Sequence, residues 1–279
     1  MSGLIIVNKP SGYTSRDVVN IVGRELKEKR VGHTGTLDPM ATGVLVITLG
    51  KYTKLTELLV SLDKEYIAEI KLGIETDTLD ITGTILEERS VRTTKEDILR
   101  VFTSFLGEYQ MEVPKYSAIK VNGKKLYEYA RRGEEVVLPV KTVHIYELEL
   151  LSFKGDTITF RTRVEKGTYI RSLIRDITKE LHVIGTMSSL VRTRQGKFTL
   201  EDAYSLDDIK NGCYHILKAQ DVLDIPVCPL SEQDYKIISN GGKISMDLKD
   251  ELILFTYHDQ EIAIYQKDQE LYKPKVMLI

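Results

Sequence analysis

The chain has 279 residues, of which 42% are hydrophobic and 29% charged. That balance excludes a disordered or fibrous chain, and the length suits one or two domains. No apolar run approaches the roughly 20 residues of a membrane helix, and the opening MSGLIIVNKP has no basic stretch of the kind that starts a signal peptide. A cytoplasmic protein without membrane contact is expected. Two cysteines, Cys213 and Cys228, are too few for a four-cysteine metal site and read as reduced thiols.

The 39 basic and 41 acidic residues leave a net charge of −2, but the charge is unevenly spread. Lys115 to Lys141 has seven basic and three acidic residues, and Arg161 to Lys197 has nine and three. From Asp221 to Ile279 the count reverses to six basic and eleven acidic. Two basic segments in the body fit a polyanionic partner, and they equally fit ordinary solvated surface.

In chain order, Leu4 to Val7 reads as a short strand. Thr14 and Asp17 make a capping box for a helix with Val18, Val22 and Leu26 on one face. A glycine-rich loop, Gly32 to Gly43, leads into a buried strand from Val44 to Leu49. Leu55, Leu58, Leu59 and Leu62 mark a second helix. Tyr66 to Leu72 alternates strictly, with Tyr66, Ala68, Ile70 and Leu72 on one face. A helix from about Thr94 carries Ile98, Val101, Phe102, Phe105 and Leu106, with Gly107 as its stop. Thr157 to Val164 alternates again. After Gly167 a helix runs to about Leu181 with Ile170, Leu173, Ile174, Ile177 and Leu181 on its stripe, leaving Arg171 and Arg175 elsewhere on its surface. Asp224-Ile225-Pro226 reads as a linker, followed by a hairpin around His258-Asp259-Gln260. The irregular mixture predicts an α+β fold, a mixed and largely antiparallel sheet flanked by helices, with a small, mostly β C-terminal domain. The expected division is 1–222 and 223–279, with an insertion at about 110–140.

The loop GHTGTLDPMATG carries His33 and Asp38 between rigid elements, where chemistry is often placed. It is neither a P-loop nor a dinucleotide fingerprint. Gly32-His33-Thr34-Gly35 matches a bare GxxG, but the flanking pattern is not that of a KH domain. Ser117 to Lys120 spells SxxK with no accompanying acyl-transfer motif. Residue pattern alone leaves a structural turn as good a reading of the loop as a site.

Longer motifs are more specific. KPSGYTS (Lys9 to Ser15), GHTGTLDPMATGVL (Gly32 to Leu45) and KEYIAEIKLGIETDTLD (Lys64 to Asp80) resemble motifs of the TruB family of tRNA pseudouridine synthases. So do PKYSAIKVNGKKLYEYARRG (Pro114 to Gly133) and KGTYIRSLIRD (Lys166 to Asp176). The matches come in family order across roughly residues 3 to 200. The resemblance implies a pseudouridine-synthase catalytic domain, and the C-terminal tail separately resembles a PUA-like domain through Asn240-Gly241-Gly242 and the terminal hairpin pattern. The TruB resemblance implies isomerisation of the uridine at position 55, in the tRNA T-loop, without metal or cofactor, by a protein acting as a monomer.

The same resemblance assigns roles. Asp38 is the essential carboxylate, and a covalent adduct and removal of a sugar proton both remain open to it. Tyr66 stacks on the uracil and takes the proton from carbon 5. Arg171 pairs with the carboxylate, which favours its ionised form. Tyr169 and Leu190 line the pocket. His33 fills the gap left by the flipped base. Lys9 counts among the RNA-binding residues and, with Pro10, supports the loop; Lys120, Lys124, Arg131 and Arg192 contact RNA. The family pattern has an arginine after the leucine of the 190 position; this chain has Val191, and Arg192 is expected to take over a phosphate contact. A non-catalytic tRNA-binding or tRNA-folding protein and a guide-RNA-dependent enzyme are alternative readings.

Overall fold

Thr14 starts the first helix as the sequence requires. Its hydroxyl accepts the Asp17 amide at 3.1 Å while the Asp17 carboxylate accepts the Thr14 amide at 2.8 Å. The resulting helix, Ser15–Glu25, turns Val18, Val19 and Val22 inward. They meet Ile5 and Val7 of strand Gly3–Lys9 and Leu45, Ile47 and Leu49 of strand Thr42–Leu49. The computed structural model describes all residues, 1–279, and divides them into two compact units. No helix is long and apolar enough to cross a membrane.

The first unit comprises residues 1–39, 44–61 and 197–279. Besides the core just described it contains a four-stranded sheet, Val227–Pro229, Leu252–Tyr257, Gln260–Asp268 and Leu271–Met277, paired in that order. The expected hairpin is present and longer than the sequence suggested. His258 and Asp259 both have positive φ, 46° and 58°, and Tyr257 pairs with Gln260. Two such residues between paired strands make the twist-compatible two-residue turn. Ile253, Phe255, Ile262, Tyr265 and Tyr272 form this sheet's core.

The Lys54 ammonium donates to the Met277 carbonyl of this C-terminal sheet at 2.9 Å, and the Glu261 carboxylate adds three further bonds to the rest of the unit. Glu261 accepts the hydroxyl of Tyr52 and the amides of Ala219, at 3.1 Å, and Gln220, at 2.8 Å. Burial, reinforced by that carboxylate, pushes the Tyr52 hydroxyl well above its ordinary range.

The second unit comprises residues 40–43 and 62–196. Its sheet runs Gly185–Gln195, Lys64–Leu72, Thr157–Val164, Val140–Lys154, Gly107–Glu112, with every neighbour antiparallel. Thr42 and Gly43 add a parallel pair alongside Val191 and Arg192. In Lys64–Leu72 every second residue is buried, as the alternation demands. Helices Lys95–Ser104 and Ile170–Glu180 pack against the sheet, and Phe102 meets Phe160 edge-on with ring centres 5.6 Å apart.

Two expectations are corrected here. Leu106 lies beyond the helix end and is exposed, because Gly107, with φ of 93°, turns the chain into a strand. The Leu55–Leu62 stretch is a 3-10 turn, Gly50–Leu55, followed by one short helix, Thr56–Val60.

Glu261→Ala leaves the Tyr52 hydroxyl and two amides without their carboxylate. It is expected to lower unfolding free energy by about 2 kcal/mol, measured by urea denaturation. A change below about 0.5 kcal/mol would mean that the carboxylate fastens nothing.

Candidate active site

Asp38 sits in a loop whose flanking residues are each tied down. On its N-terminal side the Leu37 amide donates to the Ser15 hydroxyl at 2.9 Å, and that hydroxyl donates back to the Leu37 carbonyl at 3.3 Å. On its C-terminal side the Pro39 carbonyl accepts the Gly12 amide at 2.9 Å and the Lys9 ammonium at 3.1 Å. Lys9 also donates to the carbonyls of Pro10, at 2.9 Å, and Tyr13, at 2.7 Å. The start of the loop is held too. Thr34 donates to the Val46 carbonyl at 3.1 Å, and the Gly35 amide donates to Nδ1 of His33 at 3.3 Å. Lys9 is fully buried. Its counting among the RNA contacts is therefore corrected: its charge positions the loop and does not reach a phosphate.

In the second unit, strand register gathers the expected pocket residues on one face. Tyr66 lies opposite Arg192, and Ala68 lies opposite Leu190. All four point to the buried side of the sheet. Gly43 ends the loop with φ of 105°, and a Cβ there would fall 2.2 Å from the Arg192 carbonyl oxygen. Only glycine permits that approach. Arg192 is 1% exposed, so the phosphate contact expected of it is also corrected; its guanidinium belongs to the interior.

Arg171 is buried in the first turn of helix Ile170–Glu180, not on the solvated surface that the helical stripe suggested. Its guanidinium donates to the Thr78 carbonyl and to the Tyr116 carbonyl, both at 3.1 Å, and lies 4.0 Å from the Asp80 carboxylate. Asp80 is itself buried, accepting the Thr82 amide at 3.0 Å and the Thr82 hydroxyl at 2.5 Å. Tyr169 caps that helix, its amide directed at the Met111 sulfur at 3.1 Å. Sequence reasoning missed Thr78, Asp80 and the Tyr116 carbonyl as partners of Arg171. Asp80 closes one of the quoted motifs, which was the available signal.

Residues 24–170 match the family described as TruB family pseudouridylate synthase (N terminal domain). The chain belongs to the TruB family. It is 42% identical to tRNA pseudouridine synthase B of Caldanaerobacter subterraneus subsp. tengcongensis, across 99% of this chain and 98% of that protein. It is 40% identical to tRNA pseudouridine synthase B of Bacillus cereus, across 100% of this chain and 98% of that protein. A solved Cbf5-Nop10-Gar1 complex contains a chain of the same fold, with a TM-score of 0.75 at 24% identity, covering 99% of this chain and 85% of that one. This TruB-family chain is thus an enzyme, an isomerase with the pseudouridine-synthase fold and PUA-like C-terminal strands.

The TruB-like segment Pro114 to Gly133 contains a small hairpin and a helix. Asn122 and Gly123, both with positive φ, turn the two-residue strands Lys120–Val121 and Lys124–Lys125 back on each other. Helix Leu126–Arg131 follows. Lys120 and Arg131 are exposed. Arg131 and Lys125 both lie over the Tyr127 ring, at 5.5 and 5.4 Å. Lys124 pairs with Glu134 at 2.5 Å and lies 4.4 Å from the Tyr129 ring centre. Cations and rings are interleaved, the chemistry that suits phosphates and bases.

Lys64 shares the buried face of its strand with Tyr66, two residues on. Its ammonium donates to the Leu62 carbonyl at 2.6 Å. Burial lowers it from 10.5 to about 8; Arg192 and Lys166 push the same way and Asp63 opposes them. The folded protein therefore sheds this proton near pH 8, while the unfolded chain keeps it to about 10.5. In that window the unfolded state binds more protons, so stability rises with pH; below it the buried charge penalises the fold in full. The unfolding free energy of wild type minus that of Lys64→Met should climb by about 1 kcal/mol per pH unit between about pH 8 and 10. A flat difference in denaturation curves across that range would contradict the assignment.

Proposed function

We propose that this enzyme converts the uridine at position 55, in the T-loop of tRNA, to pseudouridine, acting as a monomer in the cytoplasm. The observation that carries the reading is the Asp38 loop, fastened on both sides by Ser15, Gly12 and Lys9. A carboxylate so fixed is preorganised for charge that develops elsewhere. Breaking the bond between the sugar carbon and N1 of uracil builds cationic character at that carbon, and a carboxylate stabilises or traps it. The uracil is retained, turns, and bonds through carbon 5; the proton on carbon 5 leaves and N1 gains one. Nothing enters or departs overall, so one carboxylate suffices where hydrolysis needs two.

The remaining roles follow the family resemblance. Arg171 keeps the carboxylate ionised. Tyr66 stacks on the uracil and accepts the proton from carbon 5, while Tyr169 and Leu190 shape the pocket wall. The uridine is stacked within the T-loop and must be flipped out, at a cost of a few kcal/mol. His33 takes the space it leaves. The exposed cations Lys120 and Arg131, with Lys124 beside them, grip the T-arm backbone. Residues 1–222 act as the catalytic domain and 223–279 as a PUA-like domain beside it.

The test is incubation of purified protein with unmodified tRNA transcript, without metal or cofactor, followed by mapping of pseudouridine at nucleotide resolution. The expected result is pseudouridine at position 55 with wild type and none with Asp38→Asn, whose tRNA affinity stays within about threefold. Product that appears only when a guide RNA is added, or equal product from Asp38→Asn, would contradict the reading.

A further inference from the structure

Arg171 is held by two loops that are far apart in sequence. One is the turn Asp77 to Asp80, which supplies the Thr78 carbonyl and the Asp80 carboxylate. The other is the root of the insertion, which supplies the Tyr116 carbonyl. A guanidinium is a rigid fork, so its aim is set by where its acceptors stand. The two loops are not fixed to each other by close packing. A cavity of about 140 Å³ lies between them, lined by Asp77, Thr78, Leu79, Pro114, Lys115 and Tyr116 among others. Across this gap the Tyr116 hydroxyl donates to Oδ2 of Asp77 at 3.1 Å. The other oxygen of that carboxylate accepts the Thr84 amide at 2.8 Å, which anchors Asp77 in its own turn.

The hairpin and helix of the insertion follow this contact. The Ser117 carbonyl accepts the Tyr127 amide at 3.1 Å, and the Ile119 carbonyl accepts the Leu126 amide at 2.8 Å. Tyr116 is thus the point where the insertion meets the acceptors of Arg171.

We infer that Tyr116 is a positioning residue: its hydroxyl bond to Asp77 keeps the insertion root and the Asp77–Asp80 turn in register, so that the two together aim Arg171. The inference rests on the proposed pseudouridine synthase reaction, for which Arg171 is needed. Its consequence is that capture of RNA by the insertion and alignment of the catalytic arginine share one mechanical element. Losing the hydroxyl frees the two acceptor loops to shift relative to each other across the cavity. The chemical step then suffers while the RNA-gripping surface is untouched.

The experiment measures single-turnover pseudouridine formation and, separately, tRNA affinity for wild type, Tyr116→Phe, Asp77→Asn and the double variant Tyr116→Phe/Asp77→Asn. The Tyr116→Phe rate is expected to fall at least roughly fivefold, since small misplacements of an aligned group are costly, with Kd within about twofold. In Asp77→Asn the amide oxygen can keep the Thr84 amide while the new NH2 donates to the Tyr116 hydroxyl oxygen, so this variant should retain more activity than Tyr116→Phe. The double variant should be no slower than Tyr116→Phe alone, because once the Tyr116 hydroxyl is gone the Asp77 side chain has no bond across the gap left to lose. A smaller fall for Tyr116→Phe, a loss seen in Kd alone, or additive effects in the double variant would overturn the inference and leave the reaction itself standing. An inactive wild type would instead remove the reading on which it rests.

Discussion

A buried ammonium organises the loop on which the chemistry depends. Lys9 has three N–H donors and no water to meet them, and the fold presents three backbone carbonyls, from Pro10, Tyr13 and Pro39. The carbonyls are nearly as constrained as the charge: each would be costly to leave without a donor in the interior. The first turn of the chain and the residue after Asp38 are thereby fixed to one point. Ser15, which opens the first helix, fixes the residue before Asp38. The capping box that starts that helix thus has a functional consequence, because it orients the residue that holds the loop.

The second unit solves a related problem with a sheet. Strict alternation in Lys64–Leu72 turns Tyr66 inward, and antiparallel register sets Leu190 and Arg192 on the same face. Such a face is normally filled by apolar side chains. Here it accepts Lys64, Tyr66 and Arg192, and the depressed Lys64 proton affinity records the cost of that placement. Buried cations beneath an expected base-stacking tyrosine depart from simple core packing, and departures of this kind concentrate at functional sites.

Much of this was legible in the sequence, for identifiable reasons. Thr14 and Asp17, the Tyr66 to Leu72 alternation and the His258-Asp259 turn are local signals, and local hydrogen bonds and pleat decided all three. The strand Val140–Lys154 was not found, because bulges between Ile145 and Glu147 and between Leu150 and Ser152 break its alternation twice. An RNA contact for Lys9 and Arg192, and a place on the helix surface for Arg171, follow from the rule that charge ordinarily means exposure. Their burial depends on carbonyl acceptors and strand neighbours that no short window contains. Asp77 and Asp80 stood within a quoted motif, yet their importance lies in contacts to Tyr116 and Arg171, 39 and 91 positions away in sequence.

Lys9 holds the Asp38 loop in place before any RNA arrives. Amide hydrogen exchange on the free protein tests it most directly, comparing wild type with Lys9→Met at Gly12 and Leu37, whose amides donate to the Pro39 carbonyl and the Ser15 hydroxyl. Both amides are expected to exchange at least about tenfold faster in the variant, while Leu254 in the C-terminal sheet is unchanged. Equal protection of Gly12 and Leu37 in the two proteins would contradict it.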